Sequence, residues 1–320
     1  MFKHHTSVNC TTLLLFCLLI LVSCATTPAN PTPGTVPVTP TASATQIATI
    51  AATPTSTPTP TTPQHYTSHV IFKGNARPDD LVFDQQGHLL FSDFYNGTIS
   101  RVNADQSVTI LFRNIAGPEG LVVLSDGTMI IAEQRTNRIL ALPPGAQSPT
   151  VLRTLPGTPS TANCKDGVDG IALDPTTNTL IIPDSPTGDV YRMSLDGKTF
   201  TRLASGITRP VGAAVDAHDN IYVADECGGA LWRITPTGAT THIGGFGMLD
   251  DVVLDAQGNL LVIDLLPSIH ALIRLNPLTG KRQTLASQGF IEPQGLLIDS
   301  HGNIYVSDDY ADIIVEYQPA

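Results

Sequence analysis

The stretch Gly212–Glu226 reads GAAVDAHDNIYVADE, and Gly295–Asp309 reads GLLIDSHGNIYVSDD. Each runs from a glycine through an apolar segment ending in Asp, then a tight turn, then a second apolar segment ending in an acid, which is the pattern of two paired strands. The pattern occurs six times, about every forty residues, between Pro78 and the C-terminus. A repeat of this length indicates supersecondary units that must pack on one another.

Each repeat contains four strand-like segments separated by turn residues. In the first copy they are 81–83, 89–92, 98–102 and 108–112, and no segment sustains a helical period. Four antiparallel strands repeated radially are typical of a β-propeller. The sixth copy lacks its fourth strand, and the segment 69–73 (HVIFK) can supply it and so remove an exposed sheet edge. The sequence therefore predicts an all-β, six-bladed β-propeller over residues 66–320, closed by the N-terminal strand 69–73.

The residues before the propeller read as an export signal and a spacer. Lys3, the apolar run 13–22 and the lipobox Leu21–Cys24 predict a lipoprotein signal peptide over 1–23 with lipidation at Cys24, the alternative being an ordinary signal peptide with a chance cysteine. Residues 24–65 are rich in Thr, Pro and Ala and carry no charge, which predicts a disordered tether. We therefore expect an extracytoplasmic protein, lipid-anchored to a bacterial membrane and contacting it only through that anchor.

The charge of the chain restricts its partners. All 28 acidic residues lie in 66–320 together with 16 of the 17 basic ones, and the basic residues form no cluster or stripe. This balance argues against a nucleic-acid partner. We expect a monomer whose partner is a small-molecule substrate or an extracellular protein or glycan.

The repeated sequence pattern resembles NHL repeats and is similar to the gluconolactonase/regucalcin and strictosidine-synthase-like six-bladed propellers. The residues that carry the resemblance are GAAVDAHDNIYVADE and GLLIDSHGNIYVSDD, and the likeness extends over about 250 residues. It implies the propeller fold. It implies much less about activity, because these families share a scaffold and differ in chemistry.

Two sets of acids recur at equivalent places, and antiparallel pairing puts both on one face of the propeller. The second strand of every copy ends in an acid, for which we expect a structural role: Asp93, Glu133, Asp184, Asp225, Asp264 and Asp308. The residue at the head of the first, innermost strand varies instead: Asp79, Glu119, Asp169, Val211, Asp250 and Gln294. Four carboxylates around one channel mouth repel each other unless protons or a cation compensate.

An oxygen-only set of ligands suits Ca²⁺ or Mg²⁺ better than Zn²⁺. We therefore expect a divalent cation, Ca²⁺ rather than Mg²⁺, bound by some of Asp79, Glu119, Asp169, Asp250 and Gln294. The alternative is a water-filled mouth that keeps these acids solvated.

The gluconolactonase/regucalcin resemblance bears on this expectation. That family binds its metal through Glu, Asn and Asp residues at strand heads, in Glu-Gly-Pro, Asn-Gly and Asp-Gly contexts. Glu119-Gly120 matches the first context except that Leu121 replaces the proline, and Asp169-Gly170 matches the third. No Asn-Gly stands at a strand head, where Val211-Gly212 is the nearest equivalent. The resemblance thus implies metal binding more strongly than lactonase activity.

Three further residues lie in loops of the acidic face. Cys164 and Cys227 lie in loops of adjacent blades, so a disulfide is topologically possible, with two free thiols as the alternative. His270 follows the second strand of the fifth copy and is a candidate for the rim of the mouth, although a lone histidine there is more often incidental.

Two functions remain open on sequence grounds. The first is a metal-assisted hydrolase of a lactone or related ester, in which Asp250 or Asp169 acts as the base. The second is a non-enzymatic NHL-like module, displayed on its tether, that recognises a protein, peptide or glycan.

Overall fold

The computed structural model describes residues 65–320. The predicted signal peptide (1–23), the lipidation site Cys24 and the predicted tether up to Gln64 lie outside the described residues. Within those residues, twenty-four strands form six four-stranded antiparallel sheets, and helical structure is limited to one 3-10 turn, Gln134–Thr136. No helix in this part of the chain has the length and apolar character that a membrane crossing requires.

The sheets are the six predicted blades, and in five of them the chain runs in order from the innermost to the outermost strand. The strands are β1 (Tyr66–Lys73); blade 1, β2 (Leu81–Phe83), β3 (Leu89–Asp93), β4 (Thr98–Val102) and β5 (Val108–Phe112); blade 2, β6 (Pro118–Val123), β7 (Met129–Glu133), β8 (Arg138–Leu142) and β9 (Thr150–Thr154); blade 3, β10 (Ala172–Asp174), β11 (Thr179–Asp184), β12 (Asp189–Ser194) and β13 (Phe200–Ala204); blade 4, β14 (Pro210–Val215), β15 (Ile221–Asp225), β16 (Ala230–Ile234) and β17 (Thr240–Gly244); blade 5, β18 (Leu249–Leu254), β19 (Leu260–Asp264), β20 (Ala271–Leu275) and β21 (Arg282–Ala286); and blade 6, β22 (Pro293–Ile298), β23 (Ile304–Asp308) and β24 (Ile313–Pro319), completed by β1.

Blade 6 closes the ring as the sequence predicts. Strand β1 pairs antiparallel with β24, with Val70 opposite Val315. The strand starts at Tyr66, three residues earlier than predicted, because its pairing continues to the end of β24, where Tyr66 faces Pro319. One sheet thus contains both ends of the propeller, which removes the edge that an open array would expose.

The core lies between neighbouring blades. The second strand of a blade is apolar on both faces and fully buried, as in β3 and β15, because each face packs on a different neighbour. At the seam between blades 6 and 1, the rings of Phe72 and Phe91 are 5.6 Å apart, and both are buried. The blades therefore stabilise one another rather than folding as separate sheets.

The acids at the ends of the second strands have the structural role predicted for them. In every blade the carboxylate accepts hydrogen bonds from backbone N–H groups of the segment that enters the same blade. Asp225 accepts from Thr208 and Arg209 at 3.2 and 2.9 Å, and Asp308 accepts from Ile291 and Glu292 at 2.7 and 3.1 Å. The other four carboxylates accept from Arg77, Ala116, Gly157, and Gly247 with Met248. Each acid therefore fixes the position at which its blade begins.

A disulfide joins the loops of blades 3 and 4 on the acidic face. Cys164 and Cys227 are bonded, with their Cα atoms 6.4 Å apart and a sequence separation of 63. The bridge holds the long loop before β10 against the loop after β15. Both loops border the channel mouth described below.

Replacing Phe72 with Ala tests ring closure by β1. We expect a loss of about 3 kcal/mol or more in the free energy of unfolding, because the ring is 2% exposed between two blades. The matched control is Val70→Ala on the same strand, since Val70 is 47% exposed. Denaturant titrations in which the two variants lose equal stability would contradict the closure.

Replacing both Cys164 and Cys227 with Ser tests the contribution of the disulfide. A bridge that closes a loop of 63 residues should contribute up to about 4 kcal/mol, so the midpoint of thermal unfolding should fall clearly. Reduction of the wild-type protein should reproduce this fall and should leave the double variant unchanged. An unchanged midpoint in both experiments would show that the bridge is not formed.

Candidate functional site

The six strand heads surround one end of the central channel, which we call the channel mouth. A cavity of about 260 Å³ runs along the innermost strands and is lined at this end by Asp79, Asp169 and Asp250. Glu119 lies behind it and is 5% exposed. Antiparallel pairing places these residues on the same face as the ends of the second strands, so the four acids converge from blades 1, 2, 3 and 5.

The carboxyl groups of Asp79 and Glu119 interact with each other. Burial raises the pKa of Glu119 well above its usual range, and the charges of Asp79 and Asp169 raise it further. Burial also raises the pKa of Asp79 well above its usual range, and the charges of Asp169 and Asp309 add to that increase. The surroundings of both carboxyl groups therefore favour their protonated forms.

Asp169 is held by a cation that the sequence analysis did not identify. Arg209 Nη2 lies 3.1 Å from Asp169 Oδ2 and 3.7 Å from Asp166 Oδ2, and Arg209 Nη1 pairs with Glu226. Gln134 donates a further hydrogen bond to Asp169 Oδ2 at 3.1 Å. Burial raises the pKa of Asp169, and the charge of Arg209 opposes that increase. Asp169 is therefore both oriented and partly neutralised.

The carboxyl group of Asp250 has fewer bonded partners than that of Asp169. It is 8% exposed, and within residues 65–320 its carboxyl group accepts no hydrogen bond. Burial raises the pKa of Asp250 well above its usual range, and the charges of Asp169, Asp79 and Asp251 raise it further. The surroundings of Asp250 therefore favour its protonated form.

The position directly after each strand head carries either a glycine or an acid. It is glycine in four blades because the innermost strands approach closely there: a Cβ on Gly120 would lie 2.7 Å from the Asp169 carbonyl oxygen. Blades 1 and 5 carry Asp80 and Asp251 at this position. Each carboxylate reaches the next blade, where Asp80 Oδ2 accepts from the Leu121 amide at 2.6 Å and Asp251 Oδ2 accepts from the Leu296 amide at 2.8 Å.

Burial raises the pKa of both of these acids, to about 7 for Asp251. The sequence analysis missed Asp80 and Asp251, although the doublets Asp79-Asp80 and Asp250-Asp251 were a visible signal. It also missed Arg209, whose place directly before Pro210 at the head of blade 4 was a weaker one.

The other predicted site residues lie apart from the four carboxyl groups. Gln294 lies beside Asp309, and Val211, at 0% exposure, belongs to the core between blades 4 and 5. His270 has a φ of 40° and donates its backbone N–H to the Leu266 carbonyl oxygen. Its ring interacts electrostatically with Glu292, which places it at the rim of blades 5 and 6.

An aromatic platform lies on the same face, at blades 1 and 6. The Arg77 guanidinium carbon is 3.5 Å from the Tyr95 ring centroid and 4.2 Å from that of Tyr310. The two rings meet edge to face, and they are 45% and 50% exposed. Arg77 is fixed from below by Asp309 at 3.2 Å. The Asp309 carboxyl charge also contributes to the raised pKa of Asp79, so the platform adjoins the mouth.

The fit of a metal ion can be judged from the donors and from their arrangement. The donors at the mouth are buried carboxyl oxygens, which hard cations prefer. In residues 65–320, however, no group of three or more His, Cys, Asp or Glu side chains is arranged so that it could hold a metal ion. Asp79 and Glu119 face each other and Asp169 faces Arg209. The chemistry of the donor set fits a cation, and cation binding would require these side chains to turn.

Comparison with known proteins gives matches in structure but not in sequence. No protein-family model matches the chain, and no curated protein sequence matches it. A gluconolactonase from Xanthomonas campestris is 13% identical, with 80% of this chain and 90% of that chain covered and a TM-score of 0.66. Virginiamycin B lyase from Staphylococcus aureus is 18% identical, with 75% and 80% covered and a TM-score of 0.58.

A third similar structure is an auxiliary nutrient binding protein from Bacteroides thetaiotaomicron. It is 13% identical, with 79% of this chain and 76% of that chain covered and a TM-score of 0.63. Identities this low show a common fold and no more. The chain thus has the six-bladed propeller fold that it shares with gluconolactonase-like and virginiamycin B lyase-like proteins.

Proposed function

We propose that this protein is an extracytoplasmic propeller, tethered to a bacterial membrane through Cys24, that hydrolyses a lactone or related ester at the channel mouth with the help of a divalent cation. The observation that carries the proposal is the convergence of four carboxyl groups from four blades, two of them buried, with the pKa values of three of them held well above the usual range. Buried groups with perturbed pKa values beside a cavity are typical of catalytic sites.

The electrostatics of the mouth support the cation part of the proposal. Asp79, Glu119 and Asp250 lack a bonded cation among the described residues, and the charges of Asp79 and Asp250 raise the pKa of Glu119. A bound cation would remove that repulsion, and the carboxyl groups would release protons as it binds. Ca²⁺ suits a flexible set of oxygen donors better than Mg²⁺, which demands a near-ideal octahedron. Gln294 would contribute only if it turned away from Asp309.

The residues of the mouth divide the chemistry between them. When bound, the cation would polarise the ester carbonyl. Asp250 lies beside the cavity, and a bound cation would favour its carboxylate form, so we assign to it the removal of a proton from the attacking water and the delivery of that proton to the leaving oxygen. Asp169 is fixed by Arg209 and Gln134 and is the second candidate for the base. His270 lies beside Glu292 at the rim and could contact only a substrate that extends outward.

The aromatic platform favours a second function. Exposed Tyr95 and Tyr310, fixed by Arg77, offer rigid rings against which a sugar ring or a peptide side chain can stack. A tethered propeller with such a surface could act as a non-enzymatic module that binds a protein, peptide or glycan. The auxiliary nutrient binding protein, which has the same fold, supports this alternative.

The hydrolase proposal predicts activity on a panel of lactones that depends on both a cation and Asp250. We expect Asp250→Asn to lower kcat by about 100-fold or more, because the amide cannot transfer the proton, and EDTA to abolish turnover until Ca²⁺ is restored. Asp196→Asn is the matched control, since Asp196 is an exposed acid of blade 3 paired with Lys198. Turnover that survives both EDTA and Asp250→Asn would exclude this mechanism, and no turnover on any lactone would favour the binding module.

The raised pKa values predict an unusual pH dependence of stability. A carboxyl group whose folded-state pKa is raised stabilises the protein below its unfolded pKa, near 4, and loses that contribution as the pH rises through the folded value, about 7 for Asp251 and Asp309. We expect the thermal midpoint to rise by about 5 °C or more between pH 8 and pH 5. Ca²⁺ should raise the midpoint mainly at pH 8, where binding does not have to displace protons.

Scanning calorimetry across this pH range, with and without Ca²⁺, measures both effects. Asp251→Asn should flatten the profile because it removes one titrating group. A midpoint that stays level or falls towards pH 5 would show that the carboxyl groups at the mouth are ordinary solvated acids.

A further inference from the structure

A cavity larger than the one at the channel mouth lies away from the channel, in the seam between blades 6 and 1. It has a volume of about 540 Å³ and is bordered by the end of β1, the connection 74–76, the turn after β3 and the strands β4 and β5. We call it the seam crevice. Its volume lies within the range usual for sites that bind small ligands.

The crevice exists because blade 1 carries a small side chain where the other blades carry large ones. Ser100 pairs with Phe91 across β3 and β4. At the equivalent position of the third strand, the other five blades carry Leu140, Tyr191, Trp232, Ile273 and Val315. Those side chains pack between blades, whereas Ser100 leaves the space open.

The Ser100 hydroxyl is buried without a partner. Ser100 is 1% exposed, and its oxygen forms no hydrogen bond with any of residues 65–320. Paired residues of adjacent strands share a face, so Ser100 points to the same side as Phe91, which packs against Phe72 of β1. A buried hydroxyl without a partner costs free energy unless something in the crevice satisfies it.

Two cations border the same crevice. Of the basic side chains in the described part of the chain, Lys73, Arg113 and Lys281 form no hydrogen bond, ion pair or ring contact, and the first two line the crevice. Asp93 is the acid on its wall, but its carboxylate already accepts from the Arg77 amide, the Asn96 amide and the Asn96 side chain at 3.0, 2.9 and 2.7 Å. The crevice lining thus carries two cations and one carboxylate, and its net charge is positive in a domain that is otherwise acidic.

We propose that the seam crevice binds a small anionic sugar, of the size of a hexose that carries a carboxylate or a phosphate. Lys73 and Arg113 pair with the anionic group, because both are free of other partners. The Ser100 hydroxyl donates to a ligand oxygen. Asn75 and Gln106 are available for hydroxyl groups, and Phe72, Val108 and Ile110 provide apolar contacts for the C–H faces of the ring. The crevice and the cavity at the channel mouth have no lining residue in common, so the two sites are separate.

The test is isothermal titration calorimetry of the purified full chain with glucuronate, glucose 6-phosphate, neutral glucose and inorganic phosphate. We expect at least one charged sugar to bind with a dissociation constant of about 1 mM or tighter. We expect neutral glucose and inorganic phosphate each to bind at least about 10-fold more weakly, because each lacks part of the recognised chemistry. Failure of both charged sugars to bind would overturn the proposal, as would inorganic phosphate that binds as tightly as the sugars.

Variants locate the binding in the crevice. Ser100→Leu introduces the residue that blade 2 carries, so it should abolish binding while leaving the protein folded or more stable. Arg113→Ala should weaken binding by about 10-fold without filling the space, and it keeps the test informative if Ser100→Leu does not fold. Lys281→Ala, at an exposed lysine of blade 5, should have no effect. Binding that persists unchanged in Arg113→Ala would place the ligand elsewhere and overturn the assignment, whereas the hydrolase proposal would be unaffected.

Discussion

Repulsion between buried carboxyl groups is the constraint on which the channel mouth depends. A propeller brings the heads of its innermost strands to one axis, so acids far apart in sequence become neighbours with little water between them. The structure compensates them in different ways. Glu119 and Asp79 interact with each other and both have raised pKa values, Arg209 offsets Asp169, and backbone N–H groups of the next blade satisfy Asp80 and Asp251. Asp250 has the least compensation, and it therefore becomes the residue best suited to exchange protons.

Equivalent acids of the repeat thus serve two purposes. Those at the ends of the second strands are present in all six blades and each accept backbone hydrogen bonds, so they define where a blade begins. Those at the strand heads vary from blade to blade, and the variation gives the mouth its asymmetry: Val211 is core on one side, while Asp250 lines the cavity on another. Uniform positions in this repeat are structural, and we propose that the variable positions carry the chemistry.

The fold was predictable from sequence because the repeat is redundant. Six copies of the same strand pattern give the number of blades, and the incomplete sixth copy indicates that a strand such as 69–73 must complete it. The positions of the strand heads also follow from antiparallel pairing alone. The sequence placed Cys164 and Cys227 on neighbouring loops of one face, and the structure joins them.

The details of the site were much harder to predict. Arg209 enters the mouth from a loop outside the repeat pattern, and the hydrogen bonds of Asp80 and Asp251 depend on how closely two blades approach. The seam crevice depends on the absence of a large side chain at Ser100, which becomes visible only when the third strands of all blades are aligned by their pairing. Which acids share protons likewise depends on side-chain orientation, which the spacing of residues does not determine.

The most direct test of this account is a measurement of the protons released when Ca²⁺ binds. The purified chain would be titrated with Ca²⁺ in weakly buffered solution at pH 7, with Asp250→Asn as the comparison. If the mouth holds protons in place of a cation, about one or more protons should be released per bound ion, and fewer in the variant. Calcium that binds without releasing protons, or that does not bind at all, would contradict the account.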